Sequence, residues 1–189
     1  MKLNDEIQIK AAREQVFRAL QDPETLKATI PGCEELEAES DTDFNAVIAA
    51  KVGPLKARFK GKAKLENIDA PSGFSLTGEG RGGPAGHAKA QAHIKLEESD
   101  GGTLLIYEVN ADVGGKLAQL GGALVQNTAK KLAGQFFTNL EHALAGEDKT
   151  DASADAASVD SESAVAPGFP WMWIAAGAVI LALVAWAAM

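Results

Sequence analysis

The side chains best able to carry out chemistry in this chain are few and lie far apart. His87 and His93 fall six residues apart on one face of an alternating segment, about 20 Å from each other, which is too far to hold one metal ion. His142 lies near the end of a helical segment, where a positive charge suits the helix dipole. The single cysteine, Cys33, is followed by two glutamates, which would raise the pKa of its thiol rather than activate it. We therefore expect no catalytic residue and no metal site.

The glycine-rich segment 80–86 does not predict a phosphate-binding loop, because it links two strand-like segments and no helix follows it. A lyase or cyclase that acts on a hydrophobic ligand is a more distant alternative, since one fold can support many activities. Such an enzyme would need an ionisable group on an inward face of the fold. The inward positions are glycine, alanine and larger apolar residues, which favours a non-catalytic protein.

The elements that would position a site are mostly strands, because the hydrophobic pattern has a period of two. In 55–68 basic side chains alternate with apolar ones, and in 87–96 alternate positions are alanine, isoleucine or leucine. Gly-Pro, Pro-Ser-Gly and Gly-Gly turns separate the alternating segments. The predicted strands are 3–9, 34–39, 44–52, 55–68, 74–80, 87–96 and 103–113.

Two short helices and one long helix complete the pattern. The short ones are predicted at 12–20 and 23–30, with Asp22 as the N-cap of the second. The long one is predicted at 116–144 from apolar residues three and four apart, weakened by about 1 kcal/mol at each glycine of a Gly-Gly pair. This order predicts an α+β fold, in which a curved antiparallel sheet of about seven strands wraps around a long C-terminal helix.

The inward faces of these strands carry many small residues. A sheet curled around a helix must be filled at high density, so either the helix lies very close to the sheet or a space stays open. An open apolar space would suit a hydrophobic small molecule. Tyr107 is the only tyrosine; its hydroxyl could orient a ligand carbonyl, although a buried tyrosine bonded to the backbone is the commoner arrangement. The predicted lining residues are Phe59, Gly61, Ala63, Leu76, Gly78, Ala90, Ala92, Tyr107, Val109, Leu117, Leu120 and Leu124.

The C-terminal segment 171–189 contains no charged residue and would form about 28 Å of helix, close to the thickness of a bilayer core. Tryptophans near both its ends suit the membrane–water interface. A buried core helix is the alternative, but such helices are usually amphipathic. The predicted anchor residues are Trp171, Trp173, Ile174, Val179, Ile180, Leu181, Leu183, Val184 and Trp186.

The chain therefore divides into a domain at 1–146, a flexible acidic linker at 147–168 and a transmembrane anchor at 169–189. The linker is rich in alanine, serine and aspartate and has almost no large apolar residue. The first ten residues carry charges and no apolar run, so no signal peptide is predicted. These features together predict a single-pass protein whose domain lies at the cytoplasmic face of the membrane.

The formal net charge is −8, of which −5 falls in 147–166 and −3 in the domain. Without a basic excess, the domain is not expected to bind nucleic acid or to adhere as a whole to anionic lipid. The acidic segment 34–43 and the basic alternation of 56–64 have two interpretations. They are either solvated neighbours that pair across the sheet, or a surface that steers a charged protein partner.

Several segments resemble the G-subunit family of carbon monoxide dehydrogenase. The first is 26–36, LKATIPGCEEL, and the second is the Val-Gly-Pro turn at 52–54 followed by Phe-Lys-Gly-Lys at 59–62. The segment 115–121 and the Phe-Phe pair before Asn139 resemble the last helix of that family. The resemblance covers about residues 1–145. It implies the helix-grip fold of START-like and Bet v 1-like domains, which usually encloses an apolar cavity.

The resemblance also implies a role. Family members accompany molybdenum hydroxylases of the carbon monoxide dehydrogenase type, recruit them to the membrane, and are thought in some cases to carry a quinone. We therefore expect a membrane-anchored accessory protein whose partners are such a hydroxylase, membrane lipid and the quinone pool, with a quinone or other isoprenoid lipid as a non-covalent ligand. The alternatives are a docking anchor without a ligand and a lipid-binding protein unrelated to carbon monoxide oxidation.

Overall fold

The strands of the domain follow the predicted alternation closely. A computed structural model describes residues 1–151, with side chains through residue 146. It contains seven strands: β1 (Lys2–Ile9), β2 (Cys33–Ala38), β3 (Asp43–Val52), β4 (Leu55–Asp69), β5 (Gly73–Arg81), β6 (His87–Ser99) and β7 (Gly102–Gly114). All seven predicted strands are present, and their ends differ from the prediction by three residues or fewer.

The strands form one antiparallel sheet in the order β1-β7-β6-β5-β4-β3-β2. Sequential strands from β2 to β7 are neighbours, and β1 closes the other edge beside β7. Because the pairing is antiparallel, the β3–β4 turn, the β5–β6 loop and the end of β7 all meet at one end of the sheet. The β4–β5 and β6–β7 turns lie at the opposite end.

The helices are α1 (Arg13–Ala19), α2 (Pro23–Thr29), α3 (Lys116–Gln119) and α4 (Gly122–Asp151), with a 3-10 turn at Gly83–Ala85. The N-cap prediction for α2 is confirmed, since the Thr25 backbone N–H donates to Asp22 Oδ2 at 2.7 Å. The prediction of one continuous helix over 116–144 was wrong. Gly121 has a φ of +89°, a left-handed conformation that ends α3 and forces α4 to begin afresh.

Two hydrophobic clusters hold the helices against the inward face of the sheet. The main cluster joins α1 and the C-terminal half of α4 to the sheet, and includes the fully buried Ile9, Val16 and Leu140. The second cluster, Val52, Leu117 and Val125 with the partly buried Leu55, Phe59, Val113 and Leu120, packs α3 and the start of α4 against the end of the sheet. Between them lies the part of the sheet whose inward residues are small.

The predicted anchor at 169–189 lies outside the described residues, as does the predicted linker beyond Asp151. Helix α4 itself runs to Asp151, past the predicted domain boundary at residue 146. Within the part of the chain that the structure describes, no helix is both long enough and apolar enough to cross a membrane.

Candidate ligand-binding cavity

The floor of the candidate site consists of two adjoining rows of small residues that run across the sheet. Strand register places Ala46, Gly61, Gly80 and Ala88 side by side on β3, β4, β5 and β6. The next inward row consists of Ala63, Gly78 and Ala90, and Phe44 on β3 bounds it at one side. Because inward residues recur every second position, these two rows leave a broad stretch of sheet with almost no side chains above it.

The backbone does not require glycine at two of these positions. A Cβ atom at Gly78 would come no closer than 3.6 Å to the Lys62 carbonyl oxygen, and one at Gly80 no closer than 3.9 Å to Phe59 Cβ. Both are ordinary van der Waals distances, and neither glycine has a positive φ. Glycine in a strand weakens the strand, so its cost here is not explained by a turn or a bulge. What the two glycines provide is space.

That space is an apolar cavity of about 450 Å³ between the sheet and the helices. Its volume lies within the range of about 300 to 1,000 Å³ found for small-molecule sites. The walls opposite the floor come from α1, α2, β2 and α4. The lining residues are Leu20, Leu26, Ile30, Leu36, Phe44, Ala46, Ile48, Phe59, Gly61, Lys62, Ala63, Leu65, Phe74, Leu76, Gly78, Glu79, Gly80, Ala88, Lys89, Ala90, Ile94, Leu105, Phe136 and Phe137.

The two ends of the cavity differ in exposure. Leu65, Phe74 and Leu105, which lie toward the main cluster, are 4 %, 7 % and 1 % exposed. In contrast, every residue of the row that contains Gly61 and Gly80 is half-buried. The more exposed half of the cavity is therefore the half nearer the β3–β4 turn and the β5–β6 loop, where the cavity borders the second cluster.

Three charged residues touch the cavity only through their backbone. Lys62, Glu79 and Lys89 alternate with inward residues, so their side chains belong to the outer face of the sheet. There Lys89 Nζ lies 3.8 Å from Glu79 Oε2. The inside of the cavity presents hydrocarbon and aromatic groups, and its strand backbone groups are already paired in the sheet. Such a site selects a ligand by shape and hydrophobicity rather than by charge.

Six of the twelve predicted lining residues lie around this cavity: Phe59, Gly61, Ala63, Leu76, Gly78 and Ala90. The other six do not line it. Val109 packs against the main cluster, and Ala92 is buried at 8 % exposure. Leu117 and Leu120 belong to the second cluster, and Leu124 is 39 % exposed. The break at Gly121 explains the positions of Leu117 and Leu120, because α3 packs against the end of the sheet rather than over its floor.

Tyr107 does not reach the cavity either. Its ring is stacked on that of Phe137, with centroids 5.5 Å apart, and Phe137 is the residue that faces the cavity. Burial raises the pKa of the Tyr107 phenol, and the nearby Asp5 carboxylate raises it further. The idea that this hydroxyl orients a ligand inside the cavity therefore has no geometric support.

The residues of the wall opposite the floor were not predicted from the sequence. Leu26 and Ile30, four residues apart on and just after α2, and Phe136 and Phe137 on α4 all line the cavity. The spacing in α2 and the adjacent phenylalanines were visible signals. Only the packing of the helices shows which side they present to the sheet.

The sequence model of the family described as the G subunit of carbon monoxide dehydrogenase (CoxG) matches residues 6–145. The chain belongs to this family. The resemblance inferred from the sequence is thus confirmed, and membership gives the domain an accessory role to carbon monoxide dehydrogenase. A search of curated protein sequences finds no match.

Several solved structures are similar to this CoxG-family domain. A conserved protein from Geobacillus kaustophilus is 30% identical, with a TM-score of 0.74, over 78% of this chain and 97% of that one. A protein from Thermus thermophilus matches with a TM-score of 0.60 and 17% identity, over 78% and 99%. A protein from Rhizobium leguminosarum gives 0.56 and 19%, over 75% and 95%. The last two show the fold alone, which is the helix-grip fold.

Reactive groups in this CoxG-family domain do not converge on the cavity. Burial raises the pKa of the Cys33 thiol, an effect that nearby Lys27 opposes, so the direction predicted from sequence is correct but its main cause is not the adjacent glutamates. His93 Nδ1 lies 3.0 Å from Ser75 Oγ, on the exposed outer face. Within residues 1–151, no three His, Cys, Asp or Glu side chains gather where they could hold a metal ion.

The charged segments on the outer face pair across the sheet in part. Arg58 donates to Glu34 of β2, and Lys62 Nζ lies 3.6 Å from Glu39 Oε1. These pairs agree with the interpretation that the acidic and basic segments are solvated neighbours that pair across the sheet. Each pair contributes little to stability because it is exposed. The outer face also has depressions of about 390 and 620 Å³, and charged residues make up half or more of the lining of each.

Proposed function

We propose that this domain carries a respiratory quinone, or an isoprenoid lipid of similar shape, in its apolar cavity. The proposal includes recruitment of a molybdenum hydroxylase of the carbon monoxide dehydrogenase type to the cytoplasmic face of the membrane, where residues 169–189 anchor the chain. The observation that carries it is the floor of two glycine- and alanine-rich rows, which leaves about 450 Å³ of apolar space in a protein of the CoxG family.

The composition of the lining supports a hydrophobic ligand. A hydrocarbon group that buries about 200 Å², as one aromatic side chain does, gains about 5 kcal/mol over water at 25 cal/mol per Å². The same group gains little over a bilayer, whose core is equally apolar. Binding would therefore be strong against water and nearly balanced against the membrane, as exchange between a carrier and a lipid pool requires.

The difference in exposure along the cavity supports an orientation for such a ligand. Polar quinone oxygens would be unpaired deep in the cavity, since no polar side chain lies there to bond them. We place the apolar tail toward Leu65 and Phe74, and the polar ring atoms toward the half-buried row that contains Gly61 and Gly80. The ring carbonyls then remain within reach of water or of a partner protein.

The direct test is to purify the full-length chain from membranes, extract it with organic solvent and identify the extract by mass spectrometry. A quinone in about one-to-one ratio with protein is the expected result. Ala90→Leu, which adds a branched side chain to the floor, should remove most of the bound quinone. Ala49→Leu makes the same change at an exposed position of β3 and should leave binding unchanged.

Two outcomes would contradict the proposal. Protein that contains no lipid would leave docking without a ligand, and quinone retained equally in both variants would place the ligand elsewhere. The anchor is tested in the same preparation, because a chain ending at residue 151 should leave the membrane fraction after a high-salt wash whereas the full chain should stay.

A further inference from the structure

Charge is distributed unevenly along the sheet. Three segments, 44–65, 80–96 and 113–140, contain no aspartate or glutamate, yet they hold twelve of the chain's 18 lysines and arginines. The antiparallel topology brings the β3–β4 turn, the β5–β6 loop and the junction of β7 with α3 to one end. We call this surface the basic end and define it by five exposed side chains: Lys51, Lys56, Lys60, Arg81 and Lys116.

Basic residues at this end are cross-strand neighbours of one another. Lys51 lies directly across from Lys56 in the β3–β4 pair, and Lys60 lies directly across from Arg81 in the β4–β5 pair. Like charges at such positions destabilise a sheet. In the described part of the chain, none of the five residues of the basic end forms an ion pair. An anionic partner would relieve this repulsion, which makes the surface suited to one.

An exposed apolar side chain lies beside these lysines. Leu124, at the start of α4, is 39 % exposed. It lies over the β3–β4 turn, since a Cβ atom on Gly53 would come within 2.8 Å of Leu124 Cδ2. Lysines around a protruding leucine match the chemistry of an anionic lipid surface, in which bases meet phosphate groups and apolar side chains enter the interface.

We propose that the basic end is the surface by which the domain rests on an anionic bilayer. The more exposed half of the cavity lies toward the same end, because its half-buried row contains Gly61 and Gly80, the immediate neighbours of Lys60 and Arg81. The inference rests on the proposed function, in that a carrier must present its opening to the lipid that supplies its ligand. The acidic residues that give the domain its net charge of −3 lie outside the three segments. Glu35, Glu37 and Glu79 border Lys60 and Arg81 on the outer face, so the charge-reversal test below uses Lys51 and Lys56.

Two exposed apolar residues allow the surface to be mapped. Leu124 lies at the basic end, and Ile68, which is 43 % exposed, lies at the opposite end of the sheet. Each is changed to cysteine in a full-length Cys33→Ala chain and labelled with a fluorophore that reports polarity. With vesicles of phosphatidylcholine and phosphatidylglycerol, the emission of the label at 124 should shift to the blue, and that of the label at 68 should not.

Salt and charge reversal test the electrostatic part. Raising the ionic strength from about 0.1 M to about 1 M shortens the Debye length from about 10 Å to about 3 Å, so the shift should disappear. Each base near an anionic surface contributes about fivefold to partitioning. Lys51→Glu with Lys56→Glu should therefore weaken the response of the label at 124 by about 25-fold or more. Lys10→Glu with Arg18→Glu changes the net charge equally, away from the basic end, and should have little effect.

A blue shift of equal size at both labels, or one that survives charge reversal, would overturn the inference. So would a label at 124 that ignores vesicles of any composition but responds to the purified hydroxylase, which would make the basic end a protein-docking surface. Circular dichroism shows whether each variant is folded. The result is separable from the ligand test, because vesicle contact needs no quinone in the cavity and quinone extraction needs no labelled surface.

Discussion

Two alanines on one strand should respond to the same substitution with opposite changes in stability. Ala90 and Ala92 both point inward from β6, two residues apart. Ala90 lies between Gly78 and Ala111 and lines the cavity. We predict that Ala90→Leu stabilises the ligand-free domain, whereas Ala92→Leu destabilises it.

The magnitudes follow from the surroundings of each residue. At about 0.8 kcal/mol per buried CH₂, the added carbons of leucine gain at most about 2.4 kcal/mol at position 90, and about half of that because the site is half-buried. Ala92 is 8 % exposed and lies between Leu76 and Val109. Overpacking such a position costs about 1 to 3 kcal/mol. The two variants should therefore differ by about 2 kcal/mol or more in their free energy of unfolding.

Urea unfolding of delipidated protein, followed by far-UV circular dichroism, measures this difference. With a slope of about 1 to 3 kcal/mol per molar urea, the two midpoints should lie about 1 M apart, with Ala90→Leu above the unsubstituted protein. If Ala90→Leu destabilised the domain as much as Ala92→Leu, the space above the floor would be filled in solution. The cavity argument would then fail together with the ligand proposal.

Two further predictions concern single polar groups. Absorbance titration of tyrosinate should show a pKa for Tyr107 above that of a free phenol, and Asp5→Asn should lower this pKa. Because the pKa is higher in the folded state, the free energy of unfolding should fall as pH rises from the ordinary phenol pKa through the folded one. An unshifted titration would show that the phenol is solvated. Thr103→Val should cost about 1 to 3 kcal/mol, since the buried hydroxyl donates to the Ala11 carbonyl at 2.7 Å. Thr29→Val should lower the free energy of unfolding by less, because the Thr29 hydroxyl donates to a carbonyl of its own helix. Equal urea midpoints for the two variants would refute this distinction.

Local patterns were sufficient to predict the sheet. Alternation in β4 and β6 identifies their inward faces, and glycine or proline at each turn sets their ends. Register then follows from short hairpins between sequential strands, so the small residues were predicted to share a surface. These features depend on neighbours in the sequence, which is why they can be read from it.

The helical wall could not be predicted in the same way. Apolar spacing in 116–144 is compatible with one helix, and a Gly-Gly pair can remain helical at modest cost. Packing of Leu117 beside Val52 instead favours a break, and the positive φ of Gly121 allows it. Phe136 and Phe137 line the cavity from α4, and six of the twelve residues predicted to line it lie elsewhere.

The two unstrained glycines of the floor have a consequence for how such a domain can change. Because Gly78 and Gly80 can each accept a methyl group at ordinary contact distance, substitutions there can narrow the cavity stepwise without changing the backbone. Proteins that share this backbone could then bind ligands of different width through a few substitutions in adjacent strands. In a series with alanine and then valine at these two positions, the widest ligands should be the first to lose binding.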